Sequence, residues 1–182
     1  MHTDNIELQF HCPACSAVLQ MDGHTEKCAE CNHVLLVNDN VYDFVSATLK
    51  QEEKGYYDGE YQKIDVKGNK ISLDELAKQW NKPGFPQNPL VRKALGDIRG
   101  KTIIMIGNGA SQKELALLQD SPHRLVYSDL SPIASTRIQA QVDYSGYEKT
   151  MRFAAIDAEH LPFVNNSVDI IYAYAMVTIC QI

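Results

Sequence analysis

Lys101-Thr-Ile-Ile-Met-Ile-Gly107-Asn-Gly109-Ala-Ser111 is the stretch whose reading decides the fold. Residues 103–106 are an unbroken, β-rich apolar run, as expected of a strand covered on both faces. Gly107 and Gly109 follow at once, letting the backbone turn sharply and approach a ligand with no Cβ in the way. Ser111-Gln-Lys-Glu114 has the form of a capping box and predicts a helix through Gln119. The first N–H groups of such a helix point back at the turn and suit an anionic group. Residues 125–128 read as a second strand with Asp129 at its end, twenty-two positions beyond Gly107. Residues 152–156 read as a third, ending at Asp157. Strands alternating with helical segments predict an α/β fold with a Rossmann-like parallel sheet, and three strand ends on one rim predict a nucleotide-shaped crevice.

The acid at Asp129 can accept both hydroxyls of a ribose in bidentate fashion, which a neutral side chain cannot match. Its competing role is to cap the helix that Ser131-Pro132 begins. A dinucleotide fingerprint needs a third glycine where the helix packs on the strand. Gln112 stands there, which argues against NAD.

Asp157-Ala158-Glu159-His160-Leu161-Pro162-Phe163, taken with the glycine turn and Asp129, resembles the cofactor site of class I S-adenosyl-L-methionine-dependent methyltransferases of the methyltransferase type 11-like kind. The matching family motif is D-A-x-x-L-P-F. The resemblance implies that Asp157 accepts from the exocyclic amine of adenine, while Ala158 and Leu161 give the ring apolar contact. It implies a cofactor-binding set of Gly107, Asn108, Gly109, Asp129, Leu130, Asp157 and Ala158, with Glu159 and His160 solvated. The likeness covers roughly residues 100–176. Two positions depart from it: Met105 stands where the family often carries an acid, and Ser111 where a third glycine is usual. Methyl transfer rests largely on holding donor and acceptor in line, so no catalytic residue is assigned. A full domain of this kind continues through three more strands in the order 3-2-1-4-5. The chain is therefore expected to be C-terminally truncated, with residues 168–176 as an apolar sheet edge available for self-association or a protein partner. Tyr174 and Cys180 are expected to pack rather than react.

Cys12-Pro-Ala-Cys15 and Cys28-Ala-Glu-Cys31 flank a gap of twelve residues. Two C-x-x-C bends facing each other supply four thiolates at tetrahedral corners, the arrangement of a structural Zn2+ with no open position for substrate. The residue after each second cysteine is expected in the left-handed region: Ser16, and more comfortably Asn32. Hairpins are predicted at Asp22-Gly23 and at Asn38-Asp39-Asn40, so the module resembles a zinc ribbon. A redox role is disfavoured because no βαβ pattern surrounds either pair. His11, His24 and His33 are expected to be solvated rather than ligands.

Three units are expected: a zinc ribbon over residues 1–47, a helical linker or lid over 48–99, and the N-terminal half of a methyltransferase domain over 100–182. In the middle unit Ser72-Leu-Asp-Glu75 opens a short helix through Trp80. Asn88-Pro89 caps another that ends before Gly96. The polar run from Lys50 to Tyr61 reads equally as a helix closing over a cleft or as an exposed linker.

The 182 residues carry a net charge of −6, with 45% hydrophobic and 22% charged side chains, as in an ordinary globular protein. Residues 1–50 hold seven acids against two bases, the wrong sign for a nucleic-acid module. Paired cysteines with no secretory leader point to a reducing, cytoplasmic setting; the run from Val168 to Ile182 is too short and too polar for a membrane span. The function these features imply is methyl transfer from S-adenosyl-L-methionine to a small molecule or an RNA base. The alternative is a non-catalytic scaffold joining a zinc ribbon to a truncated methyltransferase-like domain.

Overall fold

The computed structural model describes residues 8–19, 26–38, 40–45, 51–64, 68–82 and 87–173. The Asp22-Gly23 turn, Tyr174, Met176 and Cys180 lie outside them. The cysteine-bearing part supplies β1 (Phe10–His11), β2 (Val18–Leu19), β3 (Glu26–Lys27), β4 (Val34–Asn38) and β5 (Val41–Asp43). Helix α1 (Gln51–Gln62) follows, then β6 (Ile71–Ser72), α2 (Leu73–Trp80) and α3 (Gln87–Leu95). The remainder holds β7 (Thr102–Met105), a 3₁₀ helix (Lys113–Asp120), β8 (Arg124–Asp129), α4 (Pro132–Gln141), β9 (Val142–Asp143), β10 (Met151–Ala155) and β11 (Ile170–Tyr172).

The fold is α/β around a seven-stranded sheet in the order β11-β7-β8-β10-β5-β4-β3. β11, β7, β8, β10 and β5 are mutually parallel, while β4 and β3 run antiparallel to their neighbours. The expected order of four strands, third-second-first-fourth, is the segment β10-β8-β7-β11. Beyond it lies a feature with no counterpart in the expected division at residue 47. β5, from the cysteine-bearing part, pairs with β10 through Val41 beside Phe153 and Asp43 beside Ala155. The sheet therefore runs without a break from one unit into the other. A row of free N–H and C=O groups along β10 would be costly, and β5 satisfies it.

Alternate residues of the apolar run 103–106 serve two different cores. Ile103 and Met105 pack with Leu125, Tyr127 and Phe153 beneath Leu76, Trp80 and the 3₁₀ residues Leu115 and Leu118. Ile104 and Ile106 face the other way and pack with Val126, Ala154 and Ile156 against Phe10, Leu19, Leu35 and Phe44. The cysteine module thus covers a face that helices cover in other doubly wound folds. That is why a four-residue strand with no polar break is stable here. Trp80 is a core residue, 1% exposed.

Three local expectations meet different outcomes. Ser72 does cap α2, its Oγ accepting from the Glu75 N–H at 3.3 Å. Helix α3 begins at Gln87, one residue before the expected Asn88 cap, and ends at Leu95, with Gly96 following at φ of 65°. The Ser111 box does not form. The Ser111 hydroxyl donates to the Glu114 carboxylate at 2.6 Å instead of receiving a backbone N–H, and the segment starts at Lys113 as a 3₁₀ helix. Glu114 is only 2% exposed, so a buried carboxylate needing a donor outcompetes the cap. Among the described residues no helix is long and apolar enough to cross a membrane.

Replacing Ser72 by Ala removes the cap of α2 and is expected to cost about 1 kcal/mol in urea denaturation, with an unchanged slope.

Candidate functional site

Parallel pairing sets three strand ends side by side. The turn after β7 holds Gly107 at φ of 65° and Gly109 at 57°, both in the left-handed region that glycine enters without strain. The turn is tied to β8 by the Asn108 N–H, which donates to the Ser128 carbonyl at 3.3 Å. It is tied from below by Tyr127, whose buried hydroxyl donates to the carbonyls of Gly109, at 3.0 Å, and Ser111. Burial pushes the Tyr127 phenol far up, with the charges of Glu114 and Asp129 adding to the effect, so it stays a donor.

Asp129, 6% exposed, sits at the end of β8. Its Oδ2 accepts the Gly109 N–H at 2.9 Å and its Oδ1 the Ser131 N–H at 3.0 Å. The carboxylate therefore holds Ser131, the N-cap residue of α4, without capping the helix itself, and grips the glycine turn as well. Each oxygen retains a further lone pair. Burial raises the carboxyl above its ordinary value, and the nearby charge of Asp58 acts in the same direction, while the N–H donors of Ser131, Gly109 and Leu130 pull it down. Leu130 follows, half-buried.

Asp157, 8% exposed, lies two residues past the end of β10. The Ile156 N–H donates to the Asp129 carbonyl at 2.8 Å, which sets the two acids on neighbouring strand ends. Asp157 organises the loop that follows: Oδ1 accepts the Glu159 N–H at 3.0 Å, and Oδ2 lies 3.0 Å from Nδ1 of His160. His160 was expected to be solvated; its ring is exposed on one side and held against Asp157 on the other. Ala158 and Leu161 are exposed.

The segment left open between lid and linker is helix α1, and it lies against the site. Tyr61 reaches the glycine turn so closely that a Cβ on Gly109 would stand 2.7 Å from its hydroxyl. Burial first, then the charge of Asp129, holds the Tyr61 phenol above its usual range. Asp58 accepts from the Ser131 hydroxyl. Arg137 on α4 donates to the carbonyls of Ile64 and, at 2.7 Å, Gln62. At the other end Lys54 pairs with Asp43 at 2.6 Å. The polar pattern of residues 50–61 hid this role because its contacts are made by hydroxyl and carboxylate tips, with no apolar stripe to flag them.

The turn carries polar groups that a ligand could satisfy. Among the described residues, Nδ2 of Asn108 and Oε1 of Gln112 are hidden from solvent without a hydrogen-bond partner. A buried donor and a buried acceptor left unspent beside the same turn are costly unless something else satisfies them.

The four cysteines converge. Sγ of Cys12 and Cys31 are 3.7 Å apart, those of Cys15 and Cys28 3.5 Å, and all four lie within 4.8 Å of one another. Zn–S bonds of about 2.3 Å at tetrahedral angles put thiolates about 3.8 Å apart, so the cage fits that ion. Ser16 and Asn32 adopt φ of 62° and 61°, the left-handed turns each knuckle needs. The backbone N–H of Cys31 leads the groups that bring the Cys28 thiol down to about 7, whereas the Cys12 thiol is raised by burial and the Cys15 thiol is pushed up to about 12 beside Cys31. His11 is not aimed at the cage: its Nδ1 lies 2.7 Å from the Ser16 carbonyl.

A family described as Methyltransferase domain matches residues 104–181. Three solved structures are similar to the chain. One is a candidate S-adenosyl-L-methionine-dependent methyltransferase from Methanococcus maripaludis, with 14% identity, TM-score 0.44, and coverage of 65% of this chain and 57% of that one. Another is an S-adenosylmethionine-dependent methyltransferase from Mesorhizobium loti, with 20% identity, TM-score 0.39, and coverage of 48% and 38%. The third is a candidate RNA methyltransferase from Pyrococcus horikoshii, with 18% identity, TM-score 0.39, and coverage of 66% and 57%. The chain spans less than two thirds of the length of each of them. No curated protein sequence is a match for it.

Gly109→Ala is expected to destabilise the fold by about 1–3 kcal/mol, combining left-handed strain with the collision against Tyr61. In a Tyr61→Ala background the collision disappears, and a double-mutant cycle in urea should leave about 1 kcal/mol of strain alone.

Proposed function

We propose that this chain binds S-adenosyl-L-methionine at the rim of β7, β8 and β10 and belongs to an enzyme that transfers its methyl group. The observation that carries the reading is the buried Asp129 bonded to Gly109, one strand away from Asp157, inside the segment that matches a methyltransferase domain. When bound, this cofactor supplies a methyl group made electrophilic by its sulfonium. The chain's own residues hold and orient it. Gly107 and Gly109 leave room for close approach, and Asn108 offers its unspent amide. Asp129 accepts the ribose hydroxyls, with Leu130 beside it. Asp157 accepts from the base amine, and Ala158 lies along the ring. The acceptor is a small molecule or an RNA base.

Cys12, Cys15, Cys28 and Cys31 hold a structural Zn2+ in the same reading. Four thiolates close its shell, so the ion contributes folding energy rather than a reactive site. Elemental analysis of the purified chain should give one zinc per molecule, and Cys28→Ser should reduce that markedly.

Calorimetric titration with S-adenosylhomocysteine tests the cofactor reading. Asp129→Asn removes a charged acceptor and should weaken binding about 10- to 100-fold. Absence of heat for the unaltered chain at millimolar ligand would sink the reading; binding without turnover on any acceptor would favour a scaffold. The pH dependence has a definite sign. Ribose binding needs the Asp129 carboxylate, whose carboxyl burial raises above its ordinary 3.8. It should fade on acidification earlier than an exposed carboxylate would allow. The unliganded fold responds in the opposite direction. Ionising this buried carboxyl costs stability, so its contribution is fullest below 3.8 and is lost as pH rises through the folded value.

A further inference from the structure

We propose that the cysteine module is a brace for the loop after Asp157, so that metal occupancy of the four thiolates sets how firmly that loop is held. The brace rests on the zinc reading above; its link to ligand affinity rests on the cofactor reading as well, and its link to loop order does not.

The connection is short and direct. β1 ends one residue before Cys12, and the knuckle closes at once through the Cys12 N–H on the Ala17 carbonyl at 2.7 Å. On one edge β1 pairs with β2. On its other edge it pairs with the loop, with Phe10 bridging Phe163 in antiparallel fashion. The His11 N–H donates to the Pro162 carbonyl at 2.6 Å, and the Val164 N–H donates to the Gln9 carbonyl at 3.1 Å. The motif that contains Asp157 and Ala158 is thus fastened at its far end to the strand leading into the first metal ligand.

Side chains repeat the same path. Phe10, 4% exposed, stacks on Phe44 with centroids 4.8 Å apart and meets Phe163 at 5.4 Å. Phe44 in turn donates its N–H to the Ala155 carbonyl at 2.9 Å, two residues before Asp157. Cys12 and Cys28 are buried in the same cluster as these rings and Ile156.

A two-residue strand holds no position of its own, and a two-stranded hairpin is marginal in water. The metal is what gives a module this small a fixed shape. Without it β1 loses its anchor, and residues 162–164 lose two backbone hydrogen bonds and the ring beneath Phe163. The glycine turn and Asp129 hang on β7 and β8 and should be indifferent.

Hydrogen exchange on the full chain, zinc-loaded and after chelation, separates these regions. The amides of His11 and Val164 should exchange about tenfold faster or more without metal, while those of Gly109 and Ser131 keep their protection. Affinity for S-adenosylhomocysteine should fall about tenfold in the stripped chain. Phe163→Ala, which touches no cysteine, should retain its zinc yet show the same faster exchange at Val164 and the same weaker binding. Unchanged protection of Val164 on chelation overturns the brace, as does equal loss of protection at Gly109, which would make the metal a support of the whole fold. A chain that takes up no zinc overturns it too. A loaded chain that binds no S-adenosylhomocysteine but loses Val164 protection on chelation retains the brace and refutes the cofactor reading instead.

Discussion

Parallel pairing in register across β7, β8 and β10 places Met105 beside Tyr127 and Asp129 beside Ala155, so β8 and β10 end level while β7 gives way to the glycine turn two residues sooner. Every feature of the candidate site descends from that alignment. The glycine turn, Asp129 and Asp157 are separated by 20 or more residues in sequence, yet Asp129 is the last residue of its strand and the others follow closely on the ends of theirs. The register alone brings them together. A slip of one residue in β8 would turn the Asp129 side chain to the opposite face and deprive the Gly109 N–H of its acceptor. Tyr127 secures the same arrangement from within, because its hydroxyl meets the turn's carbonyls only in this register.

A parallel sheet of this kind needs cover on both faces, and here the two covers have different origins. α2 and the 3₁₀ helix supply apolar side chains to one side. The cysteine module supplies them to the other, and also lends β5 to the sheet itself. The module is therefore part of the sheet's core and edge, not a bead on a tether. Its rings reach Ile156 and Phe163, which flank the loop that opens the third side of the site.

α1 completes the site from above through a different kind of contact. Tyr61, Asp58 and the carbonyls of Gln62 and Ile64 are joined to Gly109, Ser131 and Arg137 by hydrogen bonds and close packing of polar tips. Such bonds are individually modest in net energy. Their number holds the helix down without an apolar face.

What could be read from the residues alone was local. Strands at 103–106 and 152–156, the left-handed glycines, the carboxylates at two strand ends and the paired cysteine bends each follow from neighbours a few positions away, through apolar runs, Cβ-free turns and ligand spacing. The competition for Ser111 could not be settled that way, since its hydroxyl went to Glu114, a carboxylate that only the tertiary fold buries. Nor could the docking of α1 on the glycine turn, whose polar residues carry no periodic signal of burial. The merger of β5 with β10 was equally hidden, because strand pairing across more than a hundred residues depends on which edge is left open. Local chemistry determined the elements and their chemically able residues; the tertiary structure alone decided which of them touch, because contacts between distant segments are chosen by competition for burial and for hydrogen-bond partners.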